Sequence, residues 1–277
     1  AGCSRRFKRK GLTIGFVPTM GALHEGHLSL MRRSKKENDV SVISIFVNPT
    51  QFGRGEDFKE YPRDLKRDLR LAKEAGVDIV FHPDARAVYP AGYKTYVEVE
   101  GLSDVLCGKF RPGHFRGVAT IVTKLFNIVM PDVAYFGQKD AQQAIIIQRL
   151  VKDLNLPIKI KVLPIIRESD GLAMSSRNAY LNSRQRARAT VLWRALKAAK
   201  EMILSGEDRV KVITRRMRQL IYRERDVRID YISVVDPYDL SEVRGNIRGR
   251  VLIALAVWIG KTRLIAVSYT HLTLPTN

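Results

Sequence analysis

Acidic side chains are in short supply in this chain: 28 Asp and Glu stand against 48 Lys and Arg in 277 residues, a formal net charge of +20. Cysteine is scarcer still, with only Cys3 and Cys107, too few and too far apart for a disulfide framework. A reducing, cytoplasmic setting is the expectation that follows. No apolar run approaches the roughly 20 residues of a membrane helix, and no secretory-type apolar segment is seen at the start, so neither a membrane span nor export is expected. Internal repeats and low-complexity linkers are missing. RNA-binding aromatic motifs and zinc-finger spacings are missing too, which leaves the positive charge as the one pointer to nucleic acid. That charge is unevenly placed: five basic residues lie within positions 1–10, and residues 184–225 hold 13 basic against four acidic. In the second stretch the cations sit between apolar residues at helical spacing, as on solvated helix faces, so nucleic-acid binding is not expected as the main function.

What is present is ordinary for a globular protein, with 45% hydrophobic and 27% charged residues and enough length for two domains. The chain is organised around residues 18–30, P-T-M-G-A-L-H-E-G-H-L-S-L. A β-rich run, residues 13–17, enters this stretch, and an amphipathic helical pattern over 27–37 leaves it. His24 and His27 are three apart and so share a face at the helix start, with Gly26 between them letting a flat ring approach the backbone. A helix N-terminus favours phosphate, and two imidazoles there can donate to a phosphoryl group as its charge builds. The spacing is not the H-E-x-x-H of a zinc pair, and no third ligand accompanies it.

The rest of the chain reads as a doubly wound protein followed by a smaller domain. Residues 40–47, V-S-V-I-S-I-F-V, suit a strand covered on both faces. Strand, helix and strand within about 35 residues make a βαβ unit and hence a parallel sheet. Asn48 and Gln51 follow at the carboxyl edge, where open sheets bind ligands; their amides suit hydroxyls and a carboxylate, and Asn48 suits an Asx turn equally well. A helix over 61–75 carries Asp64 and Asp68 one turn apart, solvent-facing or available to magnesium. Residues 77–81 form a third strand. Residues 107–117, C-G-K-F-R-P-G-H-F-R-G, read either as a mobile, anion-facing lid or as an ordinary basic loop before a helix ending at Val129. A strand at 134–136 runs into Gly137-Gln138-Lys139-Asp140, where Lys139 can reach a phosphate and Asp140 can cap a helix over 141–154 that carries Gln142 and Gln143. After a fifth strand, 158–163, the hydroxyl-rich segment Met174-Ser175-Ser176-Arg177 suits a clamp on triphosphate oxygens, or simple caps. Beyond Ser183 two basic helices (185–205 and 210–223) precede two strands (228–235 and 250–258). Residues 1–12 predict little order. Residues 266–277 fit no element and read as a non-native tail, with no role for His271.

Five blocks in register carry a family resemblance: P-T-M-G-A-L-H-E-G-H-L-S-L, I-F-V-N-P-T-Q-F, R-P-G-H-F-R-G-V, Y-F-G-Q-K-D-A-Q-Q and D-G-L-A-M-S-S-R-N. Over about residues 12–265 the chain resembles the pantoate–β-alanine ligases. The resemblance implies an α/β fold with a Rossmann-like parallel sheet of the nucleotidylyltransferase type (1–165) and a smaller C-terminal α+β lid domain (166–265). It implies a homodimer that uses ATP and magnesium to activate pantoate as pantoyl adenylate, which β-alanine opens to pantothenate and AMP. Carried over by position, Met20, Gly21, Ala22, Leu23, His24, Glu25, Gly26 and His27 border ATP, with His27 the proton donor. Gly137, Gln138, Lys139, Asp140, Ile166, Met174, Ser175, Ser176 and Arg177 complete the ATP site, and His24, His27 and Lys139 are the expected catalytic groups. Gln51 and Gln143 hold pantoate, Gln51 also meets β-alanine, and the residue reading adds Asn48 for pantoate and Asp68 for the metal. The rivals are a nucleotidylyltransferase or class I synthetase-like enzyme with another acceptor, and a basic nucleic-acid-binding protein.

Overall fold

The structure is a computed structural model and describes residues 2–271. The chain divides into two compact units, Ala1–Gln138 with Ile146–Ile166, and Lys139–Ile145 with Arg167–Asn277. The main division falls between Ile166 and Arg167, and Lys139–Ile145 groups with the second unit although it precedes that division in sequence.

The first unit opens with α1 (Gly2–Arg9), where the sequence predicted little order. The five cations of positions 1–10 suggest a solvated tail, but they do not forbid a helix that ends well. Gly11, at φ +72, closes α1 with bonds from its own N–H to Lys8 O (3.0 Å) and from Leu12 N–H to Phe7 O (3.2 Å), the paired pattern of a Schellman end. Lys8 also pairs with Asp132.

Five parallel strands follow, interleaved with helices: β1 (Ile14–Thr19), α2 (Glu25–Glu37), β2 (Val40–Ile45), α3 (Leu65–Glu74), β3 (Ile79–Phe81), the short α4 (Ala85–Val88) and α5 (Cys107–Phe110), α6 (His114–Val129), β4 (Val133–Gly137), α7 (Ala141–Asp153) and β5 (Lys159–Leu163). Their order is β3-β2-β1-β4-β5. All six residues of β2 are buried, as its unbroken β-branched run requires of a strand covered on both faces. The order reverses between β1 and β4, so the turns leaving their carboxyl ends flank the crevice where such sheets take ligands. Those two turns are the ones the motifs occupy.

The second unit contains α8 (Ser183–Ala189), α9 (Val191–Leu204), α10 (Val210–Ile221) and an antiparallel sheet of β6 (Val227–Val235), β7 (Arg250–Ile259) and β8 (Thr262–His271) in that order. The single helix expected over 185–205 is two, broken at Thr190, whose hydroxyl turns back to Ala187 O at 2.8 Å. The expectation that residues 266–277 fit no element fails for the part that is described. Ala266 to His271 complete β8 in register with Leu255 to Arg250 of β7, and Ala266, Val267 and Thr270 are buried. Residues 272–277 lie outside the described residues. The core of this unit packs Leu192, Leu196 and Ile203 of α9 with Val251, Ile253 and Leu255 of β7 and Leu264 of β8.

Candidate active site

The β1–α2 turn is built around its two histidines. His24 is the N-cap of α2, and its Nδ1 accepts from Gly26 N–H at 3.2 Å. His27 Nδ1 reciprocates from the third helical position, accepting from His24 N–H at 3.4 Å. The two rings lie 4.1 Å apart between centroids, tilted by 38°. Since both Nδ1 atoms accept, each neutral ring carries its proton on Nε2, and Nε2–H is the donor it presents. The helix starts two residues earlier than its apolar pattern, because imidazole takes the place that Ser, Thr, Asp or Asn usually fill at an N-cap.

The turn itself is held from α3. Asp68, 1% exposed, accepts Ala22 N–H on Oδ2 and Leu23 N–H on Oδ1, each at 2.8 Å. Its neighbour Arg67 donates to Leu23 O at 3.0 Å. This brace keeps Ala22 at φ +50, a left-handed conformation uncommon for a residue with a Cβ. Both oxygens of Asp68, for which a magnesium contact is expected from the sequence, accept main-chain N–H groups of this turn. Among the described residues no three His, Cys, Asp or Glu side chains come together to hold a metal ion.

At the end of β2, Asn48 and Gln51 divide differently from expectation. Asn48 is 1% exposed and uses its whole amide internally. Oδ1 accepts from the Tyr89 hydroxyl (2.8 Å) and the Thr50 hydroxyl (3.0 Å), while Nδ2 donates to Gln51 Oε1 and Gly117 O, both at 3.1 Å. Its amide, expected from the sequence to meet pantoate, is engaged with Gln51 and orients it. With Oε1 so engaged, Gln51 turns Nε2 toward Met20 Sδ at 3.0 Å, bringing an amide donor beside the β1–α2 turn. Burial pushes the Tyr89 phenol up to about 12, so it stays a neutral donor.

The basic loop 107–117 is tied to the protein and does not read as an anion-facing lid. Arg111 pairs with Glu56 (Nε to Oε1, 2.7 Å), and Arg116 covers the Tyr96 ring at 3.8 Å. His114 Nδ1 lies 2.7 Å from Gln51 O, and its Nε2 lies 3.0 Å from Arg111 Nη1, the arrangement of a ring that donates to the carbonyl and accepts from the guanidinium. Tyr89, Arg111 and His114 were not singled out as site residues from the sequence. Tyr89 lies 41 positions from Asn48, and no local pattern announces such a pair.

In the second unit, Lys139 follows the β4 turn with Nζ 3.5 Å from Asp140 Oδ1, and Gln143 is half-buried in the first turn of α7. Residues 167–173 form a tight hairpin: Arg167 bridges Ala173, and Gly171, at φ +91, packs so close to Trp193 that a Cβ would overlap the indole. Arg167 stacks on the same indole at 4.0 Å and donates to Gly171 O at 3.1 Å. Met174, Ser175, Ser176 and Arg177 follow, all half-buried. Ser175 does act as a cap, accepting Arg177 N–H at 3.3 Å, so one of its two readings is seen directly. Within the first unit the structure thus joins His24, His27, Met20 and Gln51. Within the second it gathers the hairpin and the Ser175 loop.

Comparison with known proteins supplies a family. The sequence model described as Pantoate-beta-alanine ligase matches residues 2–268. A pantothenate synthetase of Caldicellulosiruptor saccharolyticus is 57% identical over 261 residues, 94% of this chain and 92% of that protein. Among solved structures, the pantothenate synthetase of Thermus thermophilus is similar at TM-score 0.89 and 45% identity, covering 92% of each chain. A pantoate–β-alanine ligase of Francisella tularensis, solved with β-γ ATP and β-alanine, is similar at TM-score 0.76 and 37% identity, covering 94% of this chain and 90% of that one.

Proposed function

This chain belongs to the pantoate–β-alanine ligase family, and from that premise we propose how its residues divide the work of an ATP-dependent amide ligation. The enzyme joins pantoate to β-alanine, forming a C–N bond in a reaction driven by ATP. In the first step a pantoate carboxylate oxygen attacks the α-phosphorus. The new O–P bond forms as the bond to pyrophosphate breaks, and pyrophosphate leaves with that electron pair. In the second step the β-alanine amine attacks the acyl carbon. The C–N bond forms, the acyl C–O bond breaks, AMP leaves, and the amine gives up its proton.

The first step needs charge neutralisation more than a covalent nucleophile. We assign it to the Nε2–H groups of His24 and His27, with Lys139 and Arg177 as the cations and His27 the proton donor. The reciprocal cap at the head of α2 is the observation that carries this reading, because it orients two donors before any ligand arrives. Gln51 is the pantoate donor, its amide set by Asn48, with Gln143 its partner in the reading. Holding the amine beside the acyl phosphate at the Gln51 end accounts for the second step largely by proximity. Magnesium enters this reading as the companion of the nucleotide's phosphates, with no residue of the chain assigned to it. The family resemblance supports a homodimer, and the two cysteines of the chain suit a reducing cytoplasm. Among the described residues no helix is long and apolar enough to cross a membrane.

The test is a mass-spectrometric product assay with each substrate omitted in turn. Pantothenate and AMP should form in equal amounts only when ATP, pantoate and β-alanine are all present. AMP release that ignores pantoate would contradict the reading.

A further inference from the structure

The loop assigned to the phosphates, Met174 to Arg177, is closed at its base by one side chain. Asn178 Nδ2 donates to Ala173 O at 3.1 Å and to Glu168 Oε1 at 2.9 Å, so both ends of the loop meet at Asn178, and Glu168 holds that amide in place. The other Glu168 oxygen is held by Arg186 of α8 at 2.6 Å. Arg186 also grips Asp170, Nη1 to Oδ2 at 2.7 Å and Nη2 to Oδ1 at 3.1 Å, so one guanidinium spans both acids of the hairpin. Helix α8 is itself fixed, its N-cap Asn182 and Gln185 bonding each other's main-chain N–H groups at 2.9 and 3.1 Å.

We propose that Arg186 is a positioning residue for the phosphate loop, acting through Glu168 and Asn178 to set Met174 to Arg177. The proposal rests on the reading that this loop meets the triphosphate. Arg186 is three-quarters buried and forked across two carboxylates, a geometry in which a planar guanidinium fixes orientation as well as charge. An isolated surface pair would do little of this. The Arg186 guanidinium also holds the Asp170 carboxyl below the usual carboxylate range, consistent with a neutralised hairpin.

The experiment measures KM for ATP and for pantoate, with melting temperature, in Arg186→Gln, Arg186→Lys, Arg177→Ala and the Arg177→Ala/Arg186→Gln double variant. Arg186→Gln should raise the ATP KM about tenfold, the scale of a coupled contact, and leave the pantoate KM within about twofold. Arg186→Lys should recover part of the loss, since an ammonium keeps the charge and loses the fork. In the Arg177→Ala background the Arg186→Gln effect should largely vanish. A folded Arg186→Gln protein with wild-type ATP KM, or an additive double variant, overturns the proposal. If Arg177→Ala alone leaves the ATP KM unchanged, the phosphate reading of the loop fails first. If Arg186→Gln does not fold, Glu168→Gln decides by the same criteria, because it keeps an oxygen for Asn178 while turning an amide N–H toward Arg186.

Discussion

His24 does two jobs that call for different atoms of one ring: Nδ1 caps α2, and Nε2–H is the donor assigned to phosphate. The jobs can be separated. His24→Asn keeps a good N-cap and lacks the Nε2–H donor, so thermal stability should stay within about 1 kcal/mol of wild type. Single-turnover adenylate formation should nevertheless fall by about 10²–10³, the usual cost of one preorganised donor. Asp68 makes the converse case, a side chain whose two oxygens brace the turn. Asp68→Ala removes the acceptor of one buried and one part-buried N–H group and should cost about 2–4 kcal/mol in urea unfolding, at roughly 1–3 per orphaned group. A third residue, Glu37, sets an acid limit. The Lys161 ammonium, followed by the Tyr135 hydroxyl, holds its carboxyl down from 4.5 to about 2. A folded value below the unfolded one means the stabilisation is complete above about pH 4.5 and is lost as pH falls toward 2. Lys161→Met should flatten the urea midpoint between about pH 5 and 2.5, and an unchanged slope there would remove this pair from the account.

At the scale of elements, β8 and the 167–173 hairpin were invisible for different reasons. β6 and β7 announce themselves by dense β-branched and aliphatic runs. Strand β8, T-R-L-I-A-V-S-Y-T-H, dilutes its buried Leu264, Ala266 and Val267 with half-buried Arg263, Ser268 and Tyr269, and its identity comes from its partner, not its own pattern. The hairpin is set by Trp193, far along the chain, against Gly171. Truncation after Ile265 should therefore lower the melting temperature by about 10 °C, from lost ladder bonds and apolar burial worth about 3 kcal/mol or more; calorimetry showing no change would return 266–271 to the status of a tail. Helix α1 was hidden by its charge, and the break at Thr190 by the lack of any proline or glycine near it. The five parallel strands were legible because a covered strand is a short unbroken apolar run, which β2 shows throughout. In the site, legibility stopped at the chain neighbourhood. His24, His27 and Gln51 stand in local motifs. The contacts that orient them, Asp68 to Ala22 or Tyr89 to Asn48, join residues more than 40 apart, and a single sequence gives no sign of which partner will arrive.

The whole molecule carries +20 and would invite a polyanion reading on charge alone. Several of those cations are engaged internally: Arg111 with Glu56, Lys161 with Glu37, Arg186 with Glu168 and Asp170. Family membership and the turn after β1 direct the account to a small-molecule ligase, with the strand order placing the exits of β1 and β4 side by side. On the proposed adenylate route the acid is activated before the amine is needed, and ATP–pyrophosphate exchange reads that step alone. With ATP, magnesium, pantoate and labelled pyrophosphate but no β-alanine, label should enter ATP, and omitting pantoate should abolish it. Protein that makes pantothenate from all three substrates yet shows no pantoate-dependent exchange would contradict the adenylate route and the histidine roles built on it.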